Sequence, residues 1–364
     1  MPTDRPADPP QYEIGAYDYP LPSELIAQEP PARRDASRLL VLDRATGTLS
    51  HREFADLPEL LRPGDLLVAN RSRVFPARLL GRRPGGGEAE VLLVRRQEPD
   101  LWEAMVRPGR RLRAGAVVDV APGLRVRVEG PAPGGSASPP ARGETPLRQV
   151  RLLLDGLDSD SALERHGHVP LPPYIHRPDT PSDRERSQTV FAREKGSVAA
   201  PTAGLHFTPE LIERLRARGV EWGEVVLHVG PGTFRPVEAG DVRRHRVDPE
   251  RFTVPAETAA AYERVRAQGR RVVAVGTTAT RALESALDAD GRLQAGEGET
   301  DLVIVPGFRF RAVDALVTNF HLPRSSLLLL VTAFAGRARV LAAYSEAVRR
   351  RYRFYSYGDA MLLV

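Results

Sequence analysis

The chain of 364 residues has no cysteine. That absence removes disulfide frameworks, thiolate nucleophiles, cysteine-held zinc and iron–sulfur clusters. Lysine is nearly missing too: Lys195 stands alone, and the other 51 of the 52 basic residues are arginine. Long apolar runs are also lacking. The longest, Leu327 to Ala335, falls well short of the roughly 20 residues a membrane-spanning helix needs. The first residues, with Asp4, Asp8 and several prolines, lack the pattern of a signal or transit peptide, so a cytoplasmic protein is expected. Chemistry is left to His, Asp, Glu, Arg, Tyr, Ser and Thr, or to a reactive cosubstrate.

What is present is an ordinary globular composition, 41% hydrophobic and 27% charged, in a chain long enough for two domains. The net charge of +5 is unevenly placed. Between Arg71 and Arg127 there are 13 arginines against 6 acidic residues, whereas the rest of the chain holds 39 basic against 41 acidic groups. Arginine suits phosphate, because its planar fork binds two oxygens and never loses its charge. A solvated surface shaped by compositional bias would look the same.

The texture changes along the sequence. Residues 1–15 are Pro-rich and expected to be disordered. Leu39–Leu42 and Asp65–Val68 read as strands. Short strands parted by Gly and Pro follow at Ala89–Val94, Leu101–Val106, Ala116–Val120, Leu124–Val128 and Gln149–Leu154, the spacing of a small antiparallel barrel. Pro131 to Pro146 is a low-complexity loop. Beyond about residue 160 helices and strands alternate. Helices are expected at Pro209–Arg218, Ala256–Gln268, Ala279–Leu287, Ser325–Ala335 and Arg339–Arg350, with strands at Val225–Val229, Arg271–Val275, Leu302–Val305 and Ala315–Thr318. The expected architecture is an α/β domain over 16–69 and 156–364 with a mostly parallel, barrel-like sheet. A small antiparallel β-barrel is inserted at 70–155.

Ligands of α/β sheets bind beyond the carboxyl ends of the strands. Four loops at such positions carry unusual residues: Gly230-Pro231-Gly232-Thr233, Gly276-Thr277-Thr278, Pro306-Gly307-Phe308 and Asn319-Phe320-His321. A fifth stretch, Pro201 to Phe207, brings Thr202, Gly204 and His206 to the start of a helix capped by Thr208. Singly each is a turn, a cap or a core histidine; together they point to one composite pocket. None matches a dinucleotide or Walker fingerprint. A zinc site at His206, His228 and His321 is disfavoured, because no pair has i, i+4 helical spacing.

Seven words of sequence, taken in order, resemble the S-adenosylmethionine:tRNA ribosyltransferase-isomerase family of queuosine biosynthesis. They are Asn70–Leu79 (NRSRVFPARL), Leu171–Pro178 (LPPYIHRP), Val198–Phe207 (VAAPTAGLHF), Leu227–Val237 (LHVGPGTFRPV), Val275–Ser285 (VGTTATRALES), Thr318–Pro323 (TNFHLP) and Arg353–Met361 (RFYSYGDAM). The resemblance runs from about Tyr17 to the C-terminus. It implies an enzyme that moves the ribosyl part of S-adenosylmethionine onto a 7-aminomethyl-7-deazaguanine at the tRNA wobble position. Adenine and methionine leave and the sugar is rebuilt into epoxyqueuosine. S-adenosylmethionine is then a cosubstrate and no metal or other cofactor is implied; the partner is the anticodon arm of a tRNA, not a membrane, and the enzyme is expected to act as a monomer.

The sulfonium acidifies the neighbouring 5′ carbon, which a histidine or carboxylate can deprotonate, and a general acid eases departure of adenine. His206 and His228 are the first candidates for that pair, followed by His321 and Glu250. Thr202, Gly204, Gly230, Gly232, Thr233, Thr277, Thr278, Arg281, Asn319 and Asp359 are candidates for substrate binding. Asp359 equally suits a purely structural turn. Arg71, Arg73 and Arg78 are expected on tRNA phosphates. The sequence departs from the family pattern at Arg71, Ser72, Ser187, Asp248 and Val305; Asp248 stands where a histidine is common, which lowers the weight of His245 and Glu250. Two rivals are a methyltransferase using the same cosubstrate, for which no glycine-rich loop is evident, and a non-catalytic RNA-binding protein.

Overall fold

The computed structural model describes residues 10–133, 146–230, 232 and 237–364. The chain opens the main sheet with the hairpin β1 (Arg38–Leu42) and β2 (Leu49–Glu53), a short α1 (Leu57–Leu60) and β3 (Leu66–Asn70). After β4 (Ser72–Val74) comes a closed barrel of six antiparallel strands: β5 (Arg78–Arg82), β6 (Glu88–Arg96), β7 (Leu101–Arg107), β8 (Val117–Ala121), β9 (Leu124–Pro131) and β10 (Arg148–Leu154). The return passes through α2 (Ser159–His166), α3 (Pro181–Arg186) and β11 (Glu194–Ser197), which pairs in parallel with β4. The rest runs α4 (Pro209–Ala217), β12 (Glu221–Leu227), β13 (Glu250–Val254), α5 (Ala256–Ala267), β14 (Val272–Val275), α6 (Gly276–Ser285), β15 (Gly296–Thr300), β16 (Ala315–Asn319), α7 (Ser326–Ala335), α8 (Arg337–Arg349) and β17 (Ala360–Leu363).

The nine sheet strands lie in the order β15-β13-β12-β3-β14-β16-β17-β1-β2. Strands β3, β14, β16 and β17 are buried along their whole length, and their near-continuous apolar runs are what a sheet covered on both faces demands. Side chains alternate between those faces. Leu66, Val68, Val272, Ala274 and Leu316 pack in one core with helices α5 to α8, while Leu67, Ala69, Val273, Val275 and Val317 join Leu211 and Leu215 of α4 in the other. Each leucine or valine among them contributes on the order of 1.5–3 kcal/mol by leaving water. The barrel has a core of its own. Leu124, Val126 and Val128 point inward and Arg125 outward, and Ala162 and Leu163 of α2 pack against that interior.

A mostly parallel, barrel-like sheet is not what forms. Only the run β12-β3-β14-β16, together with the β17–β1 pair, is parallel; β13, β15 and β2 pair antiparallel with their neighbours, as does β17 with β16. The sheet is mixed: α6 precedes β15, and α7 and α8 precede β17, yet β15 pairs antiparallel with β13 and β17 with β16. The strand expected at Leu302–Val305 is irregular; Leu302 instead offers its carbonyl to Arg281 Nε at 2.9 Å. Helix α6 starts three residues earlier than expected, so Gly276-Thr277-Thr278 is its first turn and not a loop. Of the N-terminal stretch expected to be disordered, 1–9 lie outside the described residues, while Pro10–Tyr12 and Ile14–Tyr17 form 3-10 turns, the second burying Tyr17. Most of the Pro131–Pro146 loop also lies outside the described residues. Among the described residues no single helix is long and apolar enough to cross a membrane.

Candidate active site

A cleft of about 690 Å³ separates the barrel from the sheet. The sheet side supplies His228, Gly230, Gly232, Glu250, Thr277, Thr278 and Arg281; the barrel side supplies Val94, Arg95, Arg96, Trp102 and Glu103. His228 follows the last residue of β12, and Thr277 and Thr278 follow β14. These are carboxyl ends of the two parallel strands that flank β3, where open sheets hold ligands.

Glu250 and Arg281 form a buried pair facing this cleft, with side chains 9% and 12% exposed. Glu250 Oε1 accepts the Gly230 N–H at 2.8 Å, and Oε2 meets Arg281 Nη1. Arg281 also donates from Nε to the Leu302 carbonyl. The pair therefore ties three loops together at the rim of the cleft, and the charge-assisted bonds keep Glu250 acting as an acceptor.

His228 is held by its backbone, whose N–H donates to Arg251 O at 2.9 Å, while its ring stays half-buried. Gly196 lies directly on that ring. A Cβ at this position would come within 2.7 Å of Cε1 and Nδ1, so only glycine fits. Nδ1 is buried without a partner, and Nε2 makes no hydrogen bond among the described residues. Burial pushes the His228 pKa below its usual value, with Glu194 opposing and Arg251 adding to the shift. The imidazole is thus neutral near pH 7 and able to take a proton.

A second, much smaller cavity of about 30 Å³ adjoins the cleft, sharing Thr277 and Thr278 with it. Thr202, Asn319 and His321 line this cavity. His321 Nε2 bonds Thr318 Oγ1 at 2.8 Å, its N–H donates to the Tyr344 hydroxyl at 3.0 Å, and its carbonyl accepts from Tyr19. Burial pushes its pKa down to about 3.

His206 is not brought into the cleft. Its ring is stacked on Phe54 at 4.9 Å, 3% exposed, with Nδ1 at 2.6 Å from Ser37 Oγ and Nε2 at 3.1 Å from Asn319 Nδ2. Desolvation, reinforced by the Arg34 charge, pushes its pKa down to about 3. Gly204 is a packing glycine, since a Cβ there would meet Phe191 Cζ and Thr189 Cγ2 at 2.8 Å. Asp359 lies away from the cleft as well. It accepts from Arg38 Nε and Nη2 and from the backbone N–H groups of Arg38 and Arg353 at 2.8–3.1 Å, fastening β1 to the C-terminal turn. Thr233 lies outside the described residues.

Among the three arginines, Arg71 sits between Glu224 and Glu194 at 3.5 and 3.4 Å, and Arg78 pairs with Glu90 at 3.2 Å. Arg73 is exposed and makes no ion pair among the described residues. The three histidines do not converge on one point, and no cluster of three metal-ligating side chains exists among the described residues. Three features escaped the sequence reading. Glu103, 3% exposed, faces out of the barrel yet is buried, gripped by Arg95 through bonds of 3.0 and 2.9 Å. A carboxylate inside an otherwise apolar stretch of strand was the available signal. Gly196 and Ser37 carried none, because their partners are distant in sequence.

Comparison with known proteins agrees with this geometry. A family model described as queuosine biosynthesis protein matches residues 14–363. An S-adenosylmethionine:tRNA ribosyltransferase-isomerase of Symbiobacterium thermophilum is 53% identical over 353 residues, covering 96% of this chain and 99% of the relative. The enzyme of that name from Anaeromyxobacter sp. is 54% identical, covering 96% and 98%. The crystal structure of an S-adenosylmethionine tRNA ribosyltransferase from Thermotoga maritima, 41% identical, superposes with a TM-score of 0.53 over 96% of this chain and 100% of that one. With the barrel inserted into a mixed sheet and a cleft between them, the chain belongs to the S-adenosylmethionine:tRNA ribosyltransferase-isomerase family of queuosine biosynthesis.

Proposed function

We propose that the cleft between barrel and sheet holds S-adenosylmethionine and the wobble nucleotide of a tRNA together, and that His228 is the general base of the ribosyl transfer. The enzyme moves the ribosyl group onto the aminomethyl substituent of a 7-deazaguanine base, releasing adenine and methionine. The observation that carries the assignment is His228 itself. Of the histidines singled out in the sequence it is the one that lines the large cleft, and among the described residues its ring Nδ1 has no partner; burial keeps the ring neutral near pH 7. Its neutral ring takes the acidified C5′ proton of the sulfonium, so the proton passes from carbon to imidazole. Glu250 and Arg281 hold the glycine loop beside it in place and exclude water from that side.

The wobble base lies in a single-stranded loop and turns into a pocket without breaking a duplex. Support for barrel contact with the anticodon arm comes from exposed arginines. Arg73, Arg82, Arg107, Arg110, Arg111 and Arg125 are exposed and without ion pairs among the described residues. Arg71 and Arg78 are committed to carboxylates and have the smaller part in this reading. The test is mass spectrometry of a tRNA carrying the aminomethyl base after incubation with S-adenosylmethionine. Epoxyqueuosine with equal adenine and methionine is the expected outcome; a methylated tRNA with S-adenosylhomocysteine would contradict it.

A further inference from the structure

Two buried asparagines end neighbouring parts of the same sheet, Asn70 on β3 and Asn319 on β16. Asn70 is bonded at both amide atoms: Nδ2 donates to Leu227 O at 2.9 Å, and Oδ1 accepts from Ser72 N and Leu227 N, both at 3.0 Å. Asn319, 2% exposed, is bonded on one side only. Its Nδ2 reaches Tyr355 O and His206 Nε2, each at 3.1 Å, while Oδ1 is buried with no partner.

The orientation of that amide is fixed. Tyr355 O can only accept, so the nitrogen must face it. His206 Nε2 then accepts as well, which places the ring proton on Nδ1, where it donates to Ser37 Oγ; Ser37 in turn donates to Arg34 O at 3.3 Å. The carbonyl that anchors the chain belongs to Tyr355, whose φ of 74° is rare for a residue with a side chain. Strain, a buried histidine and a serine therefore cooperate to aim Asn319 Oδ1 away from them.

Asn319 lines the small cavity beside the cleft, and so does Thr278, whose buried Oγ1 also lacks a partner. The lining contains no Asp, Glu, Lys or Arg, and its one histidine, His321, is neutral. A volume of about 30 Å³ fits one or two hydroxyl-sized groups. An orphan acceptor and an orphan hydroxyl in a neutral wall call for a group that both donates and accepts. A hydroxyl does so; a carboxylate would face Asn319 Oδ1 unfavourably, and a sulfonium would be left without a counter-charge.

We propose that this cavity is a subsite for a ribose hydroxyl of the sulfonium nucleoside, which donates to Asn319 Oδ1 and bonds Thr278 Oγ1, with His206 as a positioning residue acting through Asn319. The inference rests on the reading that the cleft takes S-adenosylmethionine. Thr277 and Thr278 line both spaces, so a nucleoside in the cleft needs only to extend its sugar edge past the start of α6.

The experiment is calorimetric titration of the full-length protein with S-adenosylmethionine and with its 2′-deoxy and 3′-deoxy analogues. Leaving out tRNA separates a sulfonium hydroxyl from one on the nucleic acid. The wild-type protein is expected to bind at least one deoxy analogue about tenfold or more weakly than the parent, because orphaned polar groups then stay unpaired. In Asn319→Ala and in Thr278→Val that ratio is expected to fall towards one. His206→Ala is expected to weaken binding of the sulfonium and reduce the discrimination, and His206→Gln, whose amide oxygen can still accept from Asn319, to restore part of it; in turnover with tRNA, His206→Ala is expected to raise KM for the sulfonium more than it lowers kcat. Equal binding of parent and both analogues by the wild-type protein would overturn the subsite without any variant having to fold. Discrimination surviving in a folded Asn319→Ala protein would also overturn it. Failure of the wild-type protein to bind the parent sulfonium would overturn the reading of the cleft, and the subsite with it.

Discussion

His228 and His206 sit in loops of similar appearance, yet the molecule uses them in opposite ways. His228 lines the cleft with its ring half-exposed and Nδ1 without a partner among the described residues. His206 lies at the end of β16, stacked on Phe54, with both nitrogens bonded. Both pKa values are depressed by burial. A depressed pKa therefore does not by itself separate a reactive imidazole from a structural one. What separates them is whether the protein has already used the lone pair.

The sharpest way to break this contrast is to remove each ring. His228→Ala is expected to cut turnover by about 10²- to 10⁴-fold, the usual contribution of a positioned general base, while leaving the thermal melt unchanged. His206→Ala is expected to cost about 2–4 kcal/mol of stability, read by denaturant unfolding, because it opens a cavity against Phe54 and strips Asn319 and Ser37 of a partner. Similar losses of turnover and of stability in the two variants would erase the distinction.

Acid stability sharpens it further. His206 and His321 titrate near 3 when folded and near 6.5 when unfolded. Between those values the unfolded chain binds more protons, so stability falls as pH drops from about 6.5 towards 3, by about 1.4 kcal/mol per pH unit for each histidine. Removing His206 as His206→Gln is expected to reduce the slope by that amount, and removing His228 by less, since its ring is more exposed. The same depression at His228 places the acid limb of kcat/KM below pH 6.5, with activity lost as pH falls through it.

The smallest effects concern the barrel. Neutralising Arg73 or Arg107 is expected to lower the salt dependence of tRNA binding by roughly 0.7–0.9 in log–log slope per lost phosphate contact. Arg71→Gln and Arg78→Gln are expected to change it less, because their carboxylate partners already hold them. A larger change at Arg71 than at Arg73 would reverse that ranking.

Much of this was legible in the sequence. Five of the six barrel strands showed themselves as short apolar runs between turns, β5 alone being missed, and β3, β14 and β16 through continuous apolar runs. β15 was invisible because Gly296-Glu297-Gly298-Glu299-Thr300 has no apolar pattern; it exists only as the pairing partner of β13. The loops around Gly230, Thr277 and Arg281 do meet at the cleft. The separation of His206 from His228 was not legible, because it depends on Ser37, 169 positions away in sequence. Burial and lone-pair occupancy are tertiary properties, and a motif word carries neither.

The most direct measurement is a single-turnover assay of His228→Ala with saturating S-adenosylmethionine and aminomethyl-modified tRNA, alongside calorimetric binding of the sulfonium to the same variant. The expected result is near-normal binding with epoxyqueuosine formation slowed at least about a hundredfold. Product formed at the wild-type rate by this variant would contradict the assignment of His228 as the base.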